Sequence, residues 1–178
     1  QVQAEPEDMV DIPHPRIGYC GVIKKQMDLA LLDRMSNTRP NWQFVMVGPI
    51  GNVSGAEAAL KSLQGKPNVH FLGAKKVTEV PAYIQHFDVG LMCYVRNNYT
   101  RYITPLKLCE YMASGIHVVA TSLEPLKEFS PYIHLVDSEN EWVEKVEDCL
   151  VDESYTSEKR ENRSAVIEQF DWQHLVGR

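Results

Sequence analysis

Lys107 and Glu110 are the charged residues whose types and spacing best suit chemistry in this chain. They lie in the segment 104–121, which reads TPLKLCEYMASGIHVVAT. On a helix, residues three positions apart share a face. An ammonium can bind phosphate oxygens, and a carboxylate can accept hydrogen bonds from both hydroxyls of a ribose. The spacing therefore suits a nucleotide site, and it also suits a solvent-exposed ion pair worth about a few tenths of a kcal/mol.

The start of the predicted helix favours an anionic ligand. Thr104 is a good N-cap, and Pro105 suits the first helical position, where its missing N–H is not needed. A helix N-terminus carries about half a positive charge together with unpaired N–H groups. Lys107, in the first turn, opposes this helix dipole and is poorly placed for stability. A diphosphate bound at the helix start would explain it.

Other residues offer less chemistry. Cys20, Cys93, Cys109 and Cys149 form no C-x-x-C pair, which favours reduced core thiols over a metal site. The histidines lack metal-ligand spacing, no Ser–His–Asp order occurs, and the Asp-x-Asp motif of metal-dependent transferases is absent. We therefore expect neither a divalent metal nor another cofactor.

Short apolar runs alternate along the chain with stretches of helical periodicity. They predict the strands and helices that position these residues. Strands are predicted at Arg16–Cys20, Trp42–Val47, Val69–Leu72, Val89–Tyr94, His117–Ala120 and Tyr132–Val136. Helices are predicted at Met27–Met35, Ala56–Leu63, Val77–His86 (N-cap Thr78), Pro105–Ser114, Glu141–Leu150 and Ser157–Phe170, with a short helix near Pro125. Strands that are apolar throughout indicate a parallel sheet covered on both faces.

The sequence thus predicts an α/β domain with a doubly wound, Rossmann-like parallel sheet over residues 16–170. Such sheets bind ligands beyond the carboxyl ends of their strands. The polar leader, residues 1–15, is expected to be neither a signal peptide nor a membrane anchor.

The composition of the chain limits which binding partners and which cellular compartment we expect. The net charge of −6 argues against a nucleic-acid role, which would normally show a basic face. No apolar stretch approaches the roughly 20 residues needed to span a bilayer. Reduced thiols and the absence of targeting signals lead us to expect a cytoplasmic protein.

The segment 104–121 resembles the signature of the group 1 family of retaining glycosyltransferases, which have the two-domain GT-B fold. The family run is similar to P-x-K-x-x-E-x-x-A-x-G-x-P-V-V-A. It is matched at Pro105, Lys107, Glu110, Ala113, Gly115, Val118, Val119 and Ala120. The stretches NVHFLG (68–73) and FDVGL (87–91), and the opening strand–helix–strand unit, are also similar. The resemblance extends roughly from residue 16 to residue 152.

This resemblance implies a role for each matching position in the binding of a nucleoside-diphosphate sugar. Glu110 would hold the ribose. Lys107 and the backbone N–H groups near Thr104, Pro105 and Leu106 would hold the diphosphate or the sugar.

The resemblance also assigns roles to two loops that contain glycines. The turn after the third strand, with Gly73 and Ala74, would lie beside the base. Gly18 and Gly21 would let the first loop approach the phosphates closely, because a glycine has no side chain.

Departures from the family pattern affect both sugar and phosphate recognition. Tyr102 stands where many members have a second glutamate. Lys24 or Lys25 must replace the arginine and lysine of the first loop, or else both are simply exposed. His117 replaces a proline and is interpreted as a tolerated core-edge residue and not a catalytic one. The segment 97–103 could line the sugar site or form a surface loop.

The function implied is transfer of a sugar, with retention, from a nucleotide-sugar to an acceptor, in polysaccharide biosynthesis. The chain would supply only the donor-binding C-terminal half and be inactive alone. A missing N-terminal acceptor domain would be its partner, and any peripheral membrane contact is expected through that half. By the same resemblance, the leader, residues 1–15, would be the linker to that domain, and the closing segment 171–178 would run toward it. The alternatives are a non-catalytic nucleotide-sugar-binding domain, a related nucleotide-sugar epimerase, and a flavodoxin-like interaction module. The last lacks the acidic cluster and phosphoacceptor aspartate of receiver domains.

Overall fold

The computed structural model describes residues 3–102 and 106–152. Within them, six strands form one sheet: β1 (Arg16–Cys20), β2 (Gln43–Val47), β3 (Val69–Gly73), β4 (Val89–Met92), β5 (His117–Thr121) and β6 (His134–Val136). The helices are α1 (Leu29–Thr38), α2 (Glu57–Gln64), α3 (Val80–Gln85), α4 (Leu106–Ala113) and α5 (Glu139–Val151). Two short 3₁₀ helices, Thr100–Tyr102 and Glu124–Phe129, complete the elements.

The sheet confirms the predicted doubly wound α/β fold. Its strand order is β3-β2-β1-β4-β5-β6, and every neighbouring pair is parallel. The chain builds outward from β1 to β3, and then returns to the centre to place β4 beside β1. The boundary between β1 and β4 is thus where the strand order reverses, and ligands of such sheets bind at the carboxyl ends of these two strands.

Helices cover both faces of the sheet, so the strands are buried on both sides. One face packs beneath α1, α2 and α5, with Phe44, Leu91 and Val119 at its centre. The other packs beneath α3 and α4, with Val45 and Val118 among its buried residues. This explains why the strands are apolar throughout and do not alternate.

Three predicted helix starts are wrong, those of α1, α3 and α5; α5 begins at Glu139 and not at Glu141. Helix α1 begins at Leu29 and not at Met27, because the Asp28 carboxylate accepts a hydrogen bond from the Leu31 N–H (2.9 Å). Met27 instead pairs with Tyr94 in an isolated bridge. Helix α3 begins at Val80 with Glu79 as its N-cap, so Thr78 is not the capping residue.

Several predictions lie outside the described residues. They are the N-cap and first helical position, Thr104 and Pro105, the helix Ser157–Phe170, and the closing segment 171–178. Among the described residues, every helix is too short or too polar to cross a membrane. No disulfide joins the four cysteines; Cys20, Cys93 and Cys149 are buried and Cys109 is half-buried.

The leader, expected to be a linker, packs against the sheet. Met9 and Ile12 are buried in the same cluster as α3 and α4. The buried Arg16 guanidinium donates hydrogen bonds to the carbonyls of Met9 (2.9 Å) and Ile12 (2.7 Å) and pairs with Glu5. A buried guanidinium needs such partners, because a charge left unpaired in the interior is costly. Arg16 therefore anchors the leader to the start of β1.

Gly18, which the resemblance associates with the phosphate loop, is packed in the core of the domain. It lies in the middle of β1, and a Cβ atom added there would overlap the ring of Phe87. Phe87 is itself buried, with 2% of its surface exposed. The ring thus occupies the space that any side chain at position 18 would need.

We expect Gly18→Ala to lower the free energy of unfolding by about 1–3 kcal/mol, because the added methyl group overpacks the core. Urea unfolding followed by circular dichroism measures the change. Gly65→Ala is the matched control, since its Cβ would make only ordinary contacts, 3.5 Å from the nearest atom. It should stay within about 0.5 kcal/mol or gain slightly. Equal losses in the two variants would contradict the packing role of Gly18.

Candidate functional site

The candidate site begins where β1 and β4 separate. The two strands pair at Ile17 with Val89 and at Gly18 with Gly90. Beyond Gly18, the Tyr111 hydroxyl of α4 lies between the strands. It accepts a hydrogen bond from the Cys20 N–H (2.8 Å) and donates one to the Leu91 carbonyl (3.4 Å). The Tyr111 side chain therefore takes the place of the next pair of hydrogen bonds between β1 and β4. It keeps the carboxyl ends of the two strands apart, and a crevice lies between them.

Lys107 lies one helical turn before Tyr111 and reaches the same strand end. Its ammonium donates a hydrogen bond to the Cys20 carbonyl and sits 4.0 Å from the centre of the Tyr19 ring. Gly21 leaves room for it, because a Cβ at this position would overlap the ammonium. Gly21 also has φ +143°, which side-chain-bearing residues rarely adopt.

The electrostatics of Lys107 follow from this enclosure. Burial lowers its pKa to about 8, and the nearby Glu110 carboxylate opposes the shift. No salt bridge joins these two described residues, so the solvent-exposed pair considered from spacing alone is not formed. Burial also raises the pKa of the Cys20 thiol to about 11, which keeps that thiol protonated at neutral pH. The site therefore offers a cation and no thiolate nucleophile at Cys20.

The first loop, residues 21–28, is held on both sides by backbone hydrogen bonds. Toward β2, Ile23 exchanges hydrogen bonds with the Pro49 carbonyl and the Gly51 N–H (2.9 Å each). Toward β4, the Val95 N–H donates to the Gln26 carbonyl (2.9 Å), and the Asp28 N–H donates to the Cys93 carbonyl (2.8 Å). These contacts extend the sheet pairing beyond the strands and fix the loop over the crevice.

An open cavity of about 580 Å³ lies under this loop, which is within the size range of small-molecule sites. It is lined by Tyr19, Val22, Lys24, Gln26, Tyr94, Asn98, Tyr99, Tyr102 and Lys107. Two lysines and four tyrosines thus dominate its wall. The described lining residues include no carboxylate, so the cavity is positive and aromatic in character.

Comparison with known proteins identifies the family of this fold and site. The sequence profile of the family described as "Glycosyl transferases group 1" matches residues 14–152. The chain belongs to the group 1 glycosyl transferases. It is 32% identical over 119 residues to the putative teichuronic acid biosynthesis glycosyltransferase TuaH of Bacillus subtilis (strain 168). That match covers 66% of this chain and 30% of the length of TuaH.

Solved structures share the fold at low sequence identity. A glycosyltransferase from Rickettsia africae ESF-5 aligns with a TM-score of 0.69 at 12% identity, over 91% of this chain and 45% of that protein. A mutant of S. aureus TarM, in complex with Fondaparinux, alpha-GlcNAc-glycerol and UDP, aligns with a TM-score of 0.63 at 14% identity. This second match covers 99% of this chain and 36% of TarM. The fold is therefore the α/β, Rossmann-like fold of GT-B glycosyltransferase structures, and the chain spans less than half of each of these relatives.

The structure brings together some of the site residues that were predicted from this group 1 glycosyl transferase sequence. Lys24, Tyr102 and Lys107 line the cavity, and Gly21 contacts the Lys107 ammonium. The Lys24 ammonium lies 5.9 Å from the centre of the Tyr99 ring, so of the two loop lysines it is Lys24 that faces the site.

The other predicted residues lie near the same edge of the sheet without lining the cavity. Glu110 is exposed on α4, one turn after Lys107, and Leu106 is the first described residue of that helix, 43% exposed. Gly73 and Ala74 are exposed at the carboxyl end of β3. A ligand longer than the cavity would be needed to reach all of them.

The loop after β4 is an ordered turn and contributes to the cavity. The Asn97 side-chain oxygen accepts hydrogen bonds from the N–H groups of Tyr99 and Thr100 (2.9 Å each). The buried Thr100 hydroxyl donates to the Val95 carbonyl (2.6 Å). Asn98, Tyr99 and Tyr102 face the cavity from this turn. The described part of this segment thus lines the cavity, and Tyr99 and Tyr102 are at the same time exposed on the surface (61% and 76%).

The sequence analysis did not single out four of the cavity residues: Tyr19, Val22, Gln26 and Tyr94. Tyr19 and Tyr94 belong to predicted strands, and Val22 and Gln26 belong to the first loop. Tyr19 and Tyr94 had a positional signal, since each lies at or just beyond the carboxyl end of a central strand, where ligands bind. No such signal marks Gln26, because a hydrogen bond from the Val95 N–H holds it in place, and Val95 lies far along the chain.

Tyr111→Phe should destabilise the fold, because it leaves the buried Cys20 N–H without a hydrogen-bond acceptor. We expect the free energy of unfolding to fall by about 1–3 kcal/mol. Urea unfolding measures it, with Tyr102→Phe as control, since Tyr102 is 76% exposed and its loss should stay within about 0.5 kcal/mol. An unchanged unfolding curve for Tyr111→Phe would show that the bridge between β1 and β4 contributes nothing.

Proposed function

We propose that this chain is the donor-binding half of a retaining glycosyltransferase, which transfers a sugar from a nucleoside-diphosphate sugar to an acceptor. One observation carries the proposal. The half-buried Lys107 ammonium lies at the carboxyl ends of the central strands, with no carboxylate within salt-bridge distance among the described residues. A cation placed there at a cost in solvation is suited to an anionic ligand such as a diphosphate.

The role of Lys107 in this proposal is to stabilise the charge of the departing diphosphate. The Cys20 carbonyl and the Tyr19 ring hold its ammonium in place before any ligand arrives. A charge fixed in advance stabilises a transition state without the energy of reorganisation. Lys24, across the cavity, adds a second positive group.

The remaining ligand parts are assigned by position along the edge of the sheet. Glu110, exposed one turn along α4, would accept hydrogen bonds from the ribose hydroxyls. Gly73 and Ala74, at the end of β3, would lie beside the base. The sugar would lie among Tyr94, Tyr99 and Tyr102.

The acceptor and the second half of the active site belong to a partner domain in this proposal. The chain spans only 30% of TuaH, so the full protein has room for an N-terminal acceptor domain if it resembles that relative in length. TuaH is named for teichuronic acid biosynthesis, and we extend the class of polysaccharide biosynthesis to this chain. Peripheral membrane contact would come through the partner domain.

A second function is favoured by Tyr102. Many family members have a glutamate at this position, and the described lining of the cavity contains no carboxylate. A domain that binds a nucleotide-sugar without transferring it would retain Lys107 and could lose such a group. Turnover by the full-length protein with any donor and acceptor would exclude this alternative. A nucleotide-sugar epimerase would instead change the donor with no acceptor present, and NMR of the product distinguishes it and also reports the anomeric configuration.

The donor assignment predicts selective binding of one nucleoside diphosphate. In calorimetric titration with UDP, GDP and ADP, one should bind, and Glu110→Ala should weaken it about 10- to 100-fold, as expected for loss of hydrogen bonds to a charged group. Glu144→Ala is the control, because Glu144 lies on α5 with 68% of its side chain exposed. If Glu110→Ala and Glu144→Ala bound equally well, Glu110 would not be the ribose ligand.

The lowered pKa of Lys107 predicts a pH dependence of this binding. The free protein carries the ammonium charge below about pH 8 and loses it as the pH rises through 8. A diphosphate stabilises the charged form, so binding above pH 8 must take up a proton. Affinity should then fall by up to about tenfold per pH unit between 8 and 9.5. The nucleoside without phosphates, and the variant Lys107→Gln, should both lack this fall; a matching fall in Lys107→Gln would assign it to another group.

A further inference from the structure

A second cluster of side chains that can bind a metal lies at the amino ends of β5 and β6. The donor cavity, in contrast, lies at the carboxyl ends of the strands. His117 is the first residue of β5, His134 is the first residue of β6, and Cys149 lies in the last turn of α5. One ligand atom from each of these residues lies within 4.8 Å of the other two. The amino ends of the strands thus hold two imidazoles and a thiol in one place.

The strand register explains why these side chains meet. Val119 pairs with His134 across the β5–β6 ladder, and His117 lies two residues before Val119 on the same strand. Because side chains alternate along a strand, all three point to one face of the sheet. Helix α5 packs on that face, and Cys149 continues its buried stripe after Val146. The cluster is therefore built from three separate elements of the rigid core.

Asp152 supplies a fourth candidate ligand. It follows α5 directly, three residues after Cys149, and its carboxylate oxygen Oδ2 lies 3.7 Å from His117 Nε2. With bonds of about 2.0–2.3 Å, the ligands of a tetrahedral zinc ion lie about 3.3–3.8 Å apart. The distance between His117 and Asp152 already lies in this range, and Asp152 would have to turn its carboxylate toward His134 and Cys149 to complete the set.

The geometry points to a structural zinc site formed by His117, His134, Cys149 and Asp152. Imidazole, thiolate and carboxylate together are a ligand set that zinc accepts, and four protein ligands are typical of structural sites. His117 is buried, with 2% of its surface exposed, so the core holds its imidazole in place beside the other ligands. On binding, the Cys149 thiol would release its proton to solvent.

Such a site would join the last turn of α5 to the edge of the sheet. Strands β5 and β6 form that edge, and β6 is only three residues long. A metal that bridges both strands and the helix would stabilise the native state over the unfolded chain, in proportion to its affinity. The site is separate from the donor cavity, so its test does not depend on nucleotide binding.

Cobalt substitution tests the proposal directly. The full-length protein is stripped with a chelator and titrated with Co(II), which reports its geometry by absorption. We expect one equivalent to give the intense visible bands of a tetrahedral site together with a thiolate-to-cobalt charge-transfer band. Zn(II) should displace the cobalt, and its addition should raise the melting temperature.

Matched cysteine variants assign the signal. Cys149→Ser should abolish the charge-transfer band and weaken Zn(II) binding by at least about 100-fold. Loss of a residue that only hydrogen-bonds a metal ligand weakens binding by about 10- to 100-fold, and loss of a ligand should cost more. Cys109→Ser, on the half-buried cysteine of α4, should leave both unchanged. If Cys149→Ser did not fold, His134→Gln, at a half-buried position, would serve instead. A weak octahedral spectrum, or the same spectrum in wild type and both ligand variants, would overturn the proposal.

Discussion

The peptide group of Cys20 is the point on which the site depends. Its N–H donates to the Tyr111 hydroxyl and its carbonyl accepts from the Lys107 ammonium, so one turn of α4 binds both sides of a single strand residue. Residues four apart on a helix share a face, and this is why both side chains reach the same place. The contact fixes how far β1 and β4 stay apart, and with it the width of the crevice. It also places the charge that the proposed function needs.

The burial of the Lys107 ammonium lowers the stability of the fold and places a charge in the site before a ligand binds. Burial lowers the pKa of Lys107 to about 8, which means that the surroundings disfavour the charged form in the absence of a ligand. A carbonyl and an aromatic face compensate the ammonium only in part, whereas a carboxylate would neutralise it and remove its attraction for phosphate. The fold can carry this cost because the rest of the sheet is apolar on both faces and well packed.

Sequence patterns predicted the features that depend on neighbouring residues. The strands were recognisable because burial on both faces makes each a short continuous apolar run, and the parallel, doubly wound arrangement followed from their alternation with helices. Lys107 was recognisable because its charge conflicts with the helix dipole. Features that depend on distant contacts were not predictable. The packing of Phe87 on Gly18 and the hydrogen bond between Val95 and Gln26 each join segments far apart in the chain.

The residues that line the cavity determine which of them can bind phosphate and which can distinguish one sugar from another. Two ammonium groups, on Lys24 and Lys107, attract phosphate oxygens but cannot distinguish one sugar from another. Discrimination among sugars requires hydrogen bonds to individual hydroxyls, because a polar group left unpaired by the wrong isomer is what makes rejection strong. The groups here able to do so are neutral: the amides of Gln26 and Asn98 and the tyrosine hydroxyls. With Tyr102 in place of a carboxylate, sugar selectivity in the proposed enzyme must come from these neutral groups together with whatever the partner domain adds on closing over the crevice.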